Sequence, residues 1–275
     1  MLPWLRVFMR KDFASFNKIM ETSDEIRMKK IREHEETFDS ENIRDCADGV
    51  IAATRQYSDD VKAEVGLEDR DIHIVLADFT GAGFDTTTAA MCWLVYFVAK
   101  FKDIQSEIRA ELDRVVGDRS PSVKDRENLP LTEATILEAL RMGNVAALGV
   151  PHKTMKDVNF MGYDIEEGTV VFMNLQSLNF DPELWSDPKR FNPKRFLDGT
   201  GKLDPDKVDQ LVTFGVGRRK CPGESLARLE IFLYFTNIIQ KCYLELAPGE
   251  NVDNPGEFLV VHRPLPFRIR VKSVH

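Results

Sequence analysis

The sequence predicts a mainly α-helical fold with a small β portion, on three observations. Residues 72–99 form an apolar stretch far longer than a strand, and residues 101–116 place Ile104, Ile108, Leu112 and Val115 at helical spacing on one face. From Val145 onward the texture changes to short β-branched and aromatic runs cut by turn residues. The hydrophobic fraction of 43% and charged fraction of 30% describe a globular chain, and 275 residues are enough to bury a sizeable core.

The elements follow in order. The portion up to about Tyr57 is helical and highly charged; residues 26–36 mix signs as a solvated helix face does, and His34 within them is expected at the surface. A polar stretch at 58–71 leads into the long apolar helix. Gly117 closes the amphipathic helix after it with a left-handed cap. A loop with Pro121 and Pro130 precedes a helix at about 132–142. Residues 158–165 and 169–173 read as a hairpin pair, residues 181–206 are loop-rich with four prolines, a final helix runs at about 224–242, and the tail at 257–271 reads as paired strands. No composition shift marks a linker, so a single domain over 1–275 is expected.

Charge and cysteine usage exclude several classes. Acidic residues outnumber basic ones 45 to 37, for a net charge of −8, which argues against nucleic acid as a partner. Cys46, Cys92, Cys221 and Cys242 are widely spaced with no CxxC pair, which fits a reducing compartment. The longest apolar run, residues 89–99, falls short of the roughly 20 residues a membrane span needs, and the N-terminus lacks a signal-peptide cleavage site.

The run Phe214-Gly215-Val216-Gly217-Arg218-Arg219-Lys220-Cys221-Pro222-Gly223 carries the most information. A lone cysteine is more often a small buried hydrophobe than a ligand. Here three glycines let the backbone approach a flat ligand, three cations favour the thiolate, and a helix N-terminus follows. The ten residues resemble the haem-binding loop of the cytochrome P-450 family, Phe-x-x-Gly-x-Arg-x-Cys-x-Gly, at every specified position. The resemblance implies haem b with Cys221 as its axial thiolate and metal ligand, Arg219 as the partner of a propionate, and Phe214 packed on the cysteine side of the haem.

Three further constellations sit beside it. In Gly81-Ala82-Gly83-Phe84-Asp85-Thr86-Thr87-Thr88, glycines and threonines interrupt a long helix against local propensity. The bland reading is a kinked helix with Asp85 facing solvent. The segment resembles the family's oxygen-activation motif from Ala82 to Thr87, which implies that Ala82 and Gly83 leave room for dioxygen, that Thr86 holds water and the oxygen species, and that Asp85 feeds protons. Glu138 and Arg141 form an i, i+3 pair that by itself is commonplace. With Phe191-Asn192-Pro193-Lys194-Arg195-Phe196 it matches the family's Glu-x-x-Arg and Phe-x-Pro-x-Arg-Phe motifs, implying a buried ion network of Glu138, Arg141 and Arg195. His152 occupies the place of a second basic partner for a propionate. The small apolar residues before it (Val145, Ala146, Ala147, Leu148 and Val150) correspond to a substrate-contacting strand. There the chain departs from the family, since residues 142–147 lack the usual prolines.

The resemblance covers essentially the whole chain, and the chain is expected to cover only the C-terminal part of the family's fold, without the anchor and early strands. Motif wording is similar to microsomal animal members, particularly the steroid 17α-hydroxylase and aryl-hydrocarbon hydroxylase groups. The implied function is a haem-thiolate monooxygenase acting with dioxygen on a lipophilic small molecule, a steroid or xenobiotic, and fed by an NADPH-dependent flavoprotein reductase. Arg218 and Lys220 are positioned in sequence to attract that acidic partner. The implied location is the cytosolic face of the endoplasmic reticulum membrane. Two alternatives stand beside it: an oxygen-independent haem-thiolate isomerase, which would not need Asp85 and Thr86, and a truncated, non-catalytic haem-binding or interaction module.

Overall fold

The computed structural model describes residues 10–66, 69–250, 253–258 and 260–274. Its contacts separate two compact units, Met1–Ala82 and Gly83–His275. The division falls inside the long helix α4 (Asp69–Lys100), where no linker composition could mark it.

The first unit holds α1 (Arg10–Glu36), α2 (Cys46–Arg55), α3 (Asp59–Val65) and the opening turns of α4. Helices α2 and α3 start on side-chain caps: Asp45 accepts from the N–H groups of Ala47 and Asp48, and Ser58 accepts from Val61. Gly66 ends α3 at a φ of 67°. A small core gathers Ile31, Ile51 and Ile72, with Phe38, Val50 and Leu76 packed against it. His34 is half-buried, contrary to its expected surface position. Its Nδ1 lies 2.8 Å from the carboxylate of Asp48, which is fully buried and also accepts from Arg44 Nε at 2.6 Å. A buried carboxylate needs several donors, and that requirement turns His34 inward. Hydrogen bonds from Arg44, with a further one from His34, hold the Asp48 carboxyl well below the usual carboxylate range.

The second unit continues α4 and adds α5 (Lys102–Val115), α6 (Pro130–Gly143), α7 (Leu175–Asn179), α8 (Pro205–Gln210) and α9 (Glu224–Lys241). Its main core is apolar and aromatic, built from residues such as Leu94, Phe97, Ile108, Leu112, Phe232 and Phe235. Pro130 opens α6 where a missing N–H costs nothing, and Glu111 of α5 accepts from the first-turn N–H groups of Leu131 (3.0 Å) and Thr132 (2.9 Å), which have no acceptor within the helix. At the other end Gly143 lies so close to Trp93 that a Cβ there would come within 2.7 Å of the indole. Only glycine lets α4 and α6 approach at that point.

Eight short strands form two-stranded antiparallel sheets among the described residues. The expected hairpin is corrected. Residues 158–165 are a hairpin on their own, β2 (Val158–Phe160) against β3 (Tyr163–Ile165), because Met161 and Gly162 both take positive φ, at 51° and 88°. Two such residues make a tight turn whose twist matches the strands. The later run, β4 (Val170–Val171), pairs instead with β1 (His152–Lys153), setting His152 opposite Val171. The tail is also divided. β6 (Glu257–Phe258) pairs with β7 (His262–Arg263), while β8 (Ile269–Ser273) pairs with β5 (Cys242–Leu246), the strand that α9 runs into. Cys242 is therefore a strand residue and not the end of the helix.

Candidate functional site

The cysteine loop is a folded turn, not a free coil. Gly215 and Gly217 take φ of 76° and 71°, angles that a residue with a Cβ rarely adopts. A single 3₁₀ turn, Gly217–Arg219, then brings the chain back so that the N–H of Cys221 donates to Phe214 O at 2.8 Å. Gly223 caps α9 directly after it, and a Cβ there would lie 3.9 Å from the Cys221 sulfur. Cys221 is half-buried and in no disulfide. Phe214 is half-buried under the Arg228 guanidinium, 5.1 Å from its ring centre. Arg228 in turn bonds Glu224 at 3.0 Å, and Lys220 reaches the same carboxylate at 3.7 Å.

Glu138, Arg141 and Arg195 come together as a buried network. Glu138 and Arg141 are fully buried on α6, joined by bonds of 2.8 and 3.0 Å. Arg141 spends its remaining donors on the carbonyl oxygens of Asn179 (2.5 Å) and Pro188 (2.8 Å). Arg195, on the 3₁₀ turn Pro193–Phe196, donates to Glu138 at 3.1 Å and to the carbonyls of Ser186, Asp187 and Arg190. Asn192 N completes the set on Glu138 at 2.8 Å. Every polar atom of the carboxylate is thereby satisfied, which a buried ion pair requires.

Asp85 and Thr86 lie half-buried on α4, with Ala82 and Gly83 exposed one turn earlier. Asp85 is not simply turned to solvent. Arg263, from β7, donates through one nitrogen to both of its oxygens, at 2.8 and 3.1 Å. Arg263 escaped the sequence reading because nothing in a short tail strand indicates a partner 178 positions earlier. His152 is half-buried on β1. The expected substrate-contacting strand is corrected: residues 145–148 form a turn, closed by Gly149 N donating to Ala146 O at 2.9 Å with Gly149 at a φ of 60°. Val145 and Ala147 are buried, Val145 as part of the main core, Ala146 is half-buried, and only Leu148 and Val150 are exposed. Without the prolines, the chain after α6 curls instead of extending.

These residues fit a flat cofactor with an apolar body, anionic edge groups and a metal. The loop offers a half-buried thiol with no hydrogen-bond partner among the described residues, preceded by exposed Val216 and the exposed cations Arg218 and Arg219, which take no ion-pair partner among them. His34, Asp45 and Asp48 also cluster closely enough to suggest a metal. Arg44 already occupies the Asp48 carboxylate, so that cluster is an ion-pair knot.

The family model for Cytochrome P450 matches residues 1–271 of the chain. Among curated proteins, cytochrome P450 1A1 of Rattus norvegicus is 38% identical over 92% of this chain and 48% of its own length. The protein of the same name from Pleuronectes platessa is 39% identical over 94% and 50%, and that from Chelon auratus 38% identical over 100% and 54%. The chain spans about half the length of the curated relatives it matches. These relatives carry the P450 1A1 name, and the likeness to steroid 17α-hydroxylase rests on motif wording alone.

Proposed function

The chain belongs to the cytochrome P450 family, and on that premise we propose that it carries the thiolate ligand and proton-delivery groups of a monooxygenase acting on a lipophilic substrate, a steroid or xenobiotic. The observation that supports this most is the folded cysteine loop, whose two left-handed glycines and Phe214–Cys221 bond present one thiol before a helix N-terminus. Haem iron ligated by a cysteine thiolate is the family's cofactor, and when bound it supplies the reduction and splitting of dioxygen. Cys221 is the residue to hold the iron, and Arg219 and His152 are the donors for the cofactor's carboxylates. Asp85 takes up and releases a proton at its carboxyl, and the Thr86 hydroxyl passes it on. Glu138, Arg141 and Arg195 do no chemistry; they stiffen the frame on which the loop rests.

Reductase supply of electrons, with Arg218 and Lys220 attracting an acidic flavoprotein surface, belongs to the same proposal. So does the cytosolic face of the endoplasmic reticulum membrane, although no helix among the described residues is long and apolar enough to cross a membrane. The deciding experiment is the reduced, carbon-monoxide difference spectrum of the chain supplied with haem. The long-wavelength Soret band that names the family is expected, and Cys221→Ala should abolish it. A folded, haem-supplied chain without that band overturns the proposal. Thr86→Ala should keep the band and divert electrons to peroxide.

A further inference from the structure

We propose that Ser273 is a phosphorylation site, the substrate of a protein kinase whose acidic cleft reads two arginines on an extended strand. The site lies apart from the monooxygenase chemistry, and its test needs no haem.

Three serines of the chain stand three positions after an arginine: Ser58 after Arg55, Ser122 after Arg119 and Ser273 after Arg270. Two of them already serve the local fold. Ser58 caps α3 by accepting from Val61 N, and the Ser122 hydroxyl donates to Asp125 at 3.0 Å. Only Ser273 also has an arginine, Arg268, five positions before it. Two guanidinium groups at that spacing suit an acidic cleft, since each can make a forked bond to a carboxylate.

Strand β8 delivers this sequence already extended. Successive side chains of a strand point to opposite faces, so Arg268, Arg270 and Lys272 share one face and Ile269, Val271 and Ser273 the other. At its start the strand lies on the main core, where Ile269 is packed. It then departs from the core: Val271 is 56% exposed, Val274 is 40% exposed, and Ser273 is exposed between them. Among the described residues β8 has a strand neighbour, β5, on one edge only, which leaves the other edge open to an incoming chain.

Both arginines can be reached. Arg270 is exposed opposite Glu245, whose carboxylate is already held by Lys272 at 2.8 Å and Lys102 at 3.1 Å. Arg268 bonds Glu250 at 2.7 Å, yet its side chain is 80% exposed, and a pair so placed gives way at little cost. Cations on an open edge also discourage pairing between sheets. That role requires neither the arginine spacing nor a serine at the strand end.

The co-reactants are the kinase and its magnesium-bound ATP. Ser273 Oγ attacks the γ-phosphorus, an O–P bond forms, and the bond from that phosphorus to the bridging oxygen breaks as ADP leaves. The hydroxyl proton passes to the kinase's carboxylate base, and nothing is oxidised or reduced. Ser273 stands opposite Cys242, and Val274 N donates to Lys241 O at 3.1 Å, so the phosphate arrives at the C-terminal end of α9. Its charge of about −1.5 to −2 opposes the partial negative charge of the helix's last carbonyls. Lys241, an exposed ammonium in that turn, offsets this only in part. The junction of α9 and β5 is loosened.

The test incubates the full chain with magnesium-bound ATP and a purified arginine-directed kinase, and maps the phosphate by mass spectrometry. Modification of Ser273 is expected; Ser273→Ala should lose it and Ser273→Thr should keep it. Arg268→Gln and Arg270→Gln should each slow the reaction about tenfold, and Arg270→Lys should recover only part of that loss. Lys272→Gln should slow it less than about twofold. No phosphate on the folded chain, or phosphate confined to Ser58 or Ser122, overturns the proposal. Equal slowing by Lys272→Gln and the arginine variants overturns recognition by the paired arginines, because net charge alone would then be read. Hydrogen exchange across residues 238–246 should be faster in the phosphorylated chain, and unchanged exchange there overturns the loosening of the α9–β5 junction.

Discussion

Asp48 shows how a single buried charge dictates its surroundings. Its carboxylate is out of water, and Arg44 and His34 replace the lost hydration. Because its folded-state value is depressed, the stability it contributes is fully present above the ordinary carboxylate range near pH 4 and is lost as pH falls from there through the folded value. Asp125, held down chiefly by Arg119, contributes with the same sign. Urea midpoints measured across the acid range should therefore fall with pH, and Asp48→Asn should flatten much of that slope. A second residue-scale prediction concerns Gly143. Its replacement by alanine would push a methyl group into Trp93, and it should cost about 1–3 kcal/mol in unfolding free energy. Neither residue was readable as special from sequence, since a helical glycine and an acidic residue in a charged segment are both ordinary until their neighbours are known.

At the scale of elements, the network on α6 and the 3₁₀ turn Pro193–Phe196 joins two segments more than 50 positions apart through Glu138. The motifs made its members legible, but the carbonyl partners of Arg141 and Arg195 were not, because backbone acceptors leave no mark on a sequence. Glu138→Gln would leave two guanidinium groups facing a neutral amide in a dry site. The cost should be about 3–5 kcal/mol, measured by chemical denaturation. Arg195→Lys keeps the charge but lacks the fork that reaches Ser186, Asp187 and Arg190 together. It should recover only part of the stability that a neutral replacement loses. Helices α4, α5, α6 and α9 were legible for a different reason: their hydrogen bonds are local and their apolar spacing is visible within one window. Strand partners were not. Residues 158–165 and 169–173 both read as strands, yet each finds its neighbour elsewhere, the first within itself and the second at His152–Lys153.

Across the whole molecule, two cores divide the stabilising contacts, one around Ile31, Ile51 and Ile72 and the other around the aromatic residues of the second unit. Substitutions confined to one core should act mainly on its own unit. Hydrogen exchange read by mass spectrometry should show Asp48→Asn loosening residues up to Ala82 with residues from Gly83 onward little changed, and Glu138→Gln the reverse. Equal loosening throughout would mean that the two units unfold as one.

The sequence by itself determined the helical class, the order of the long helices, the turn chemistry of the cysteine loop and the membership of the Glu138–Arg141–Arg195 set. Each of these depends on residues close in the chain, or on motifs whose spacing survives without the fold. Tertiary structure alone decided that Val145 enters the core, that His34 turns inward to Asp48, and that Asp85 meets Arg263. Those are choices of burial and charge pairing between distant segments, and their outcome depends on which surfaces are brought together when the chain collapses. No local propensity encodes that.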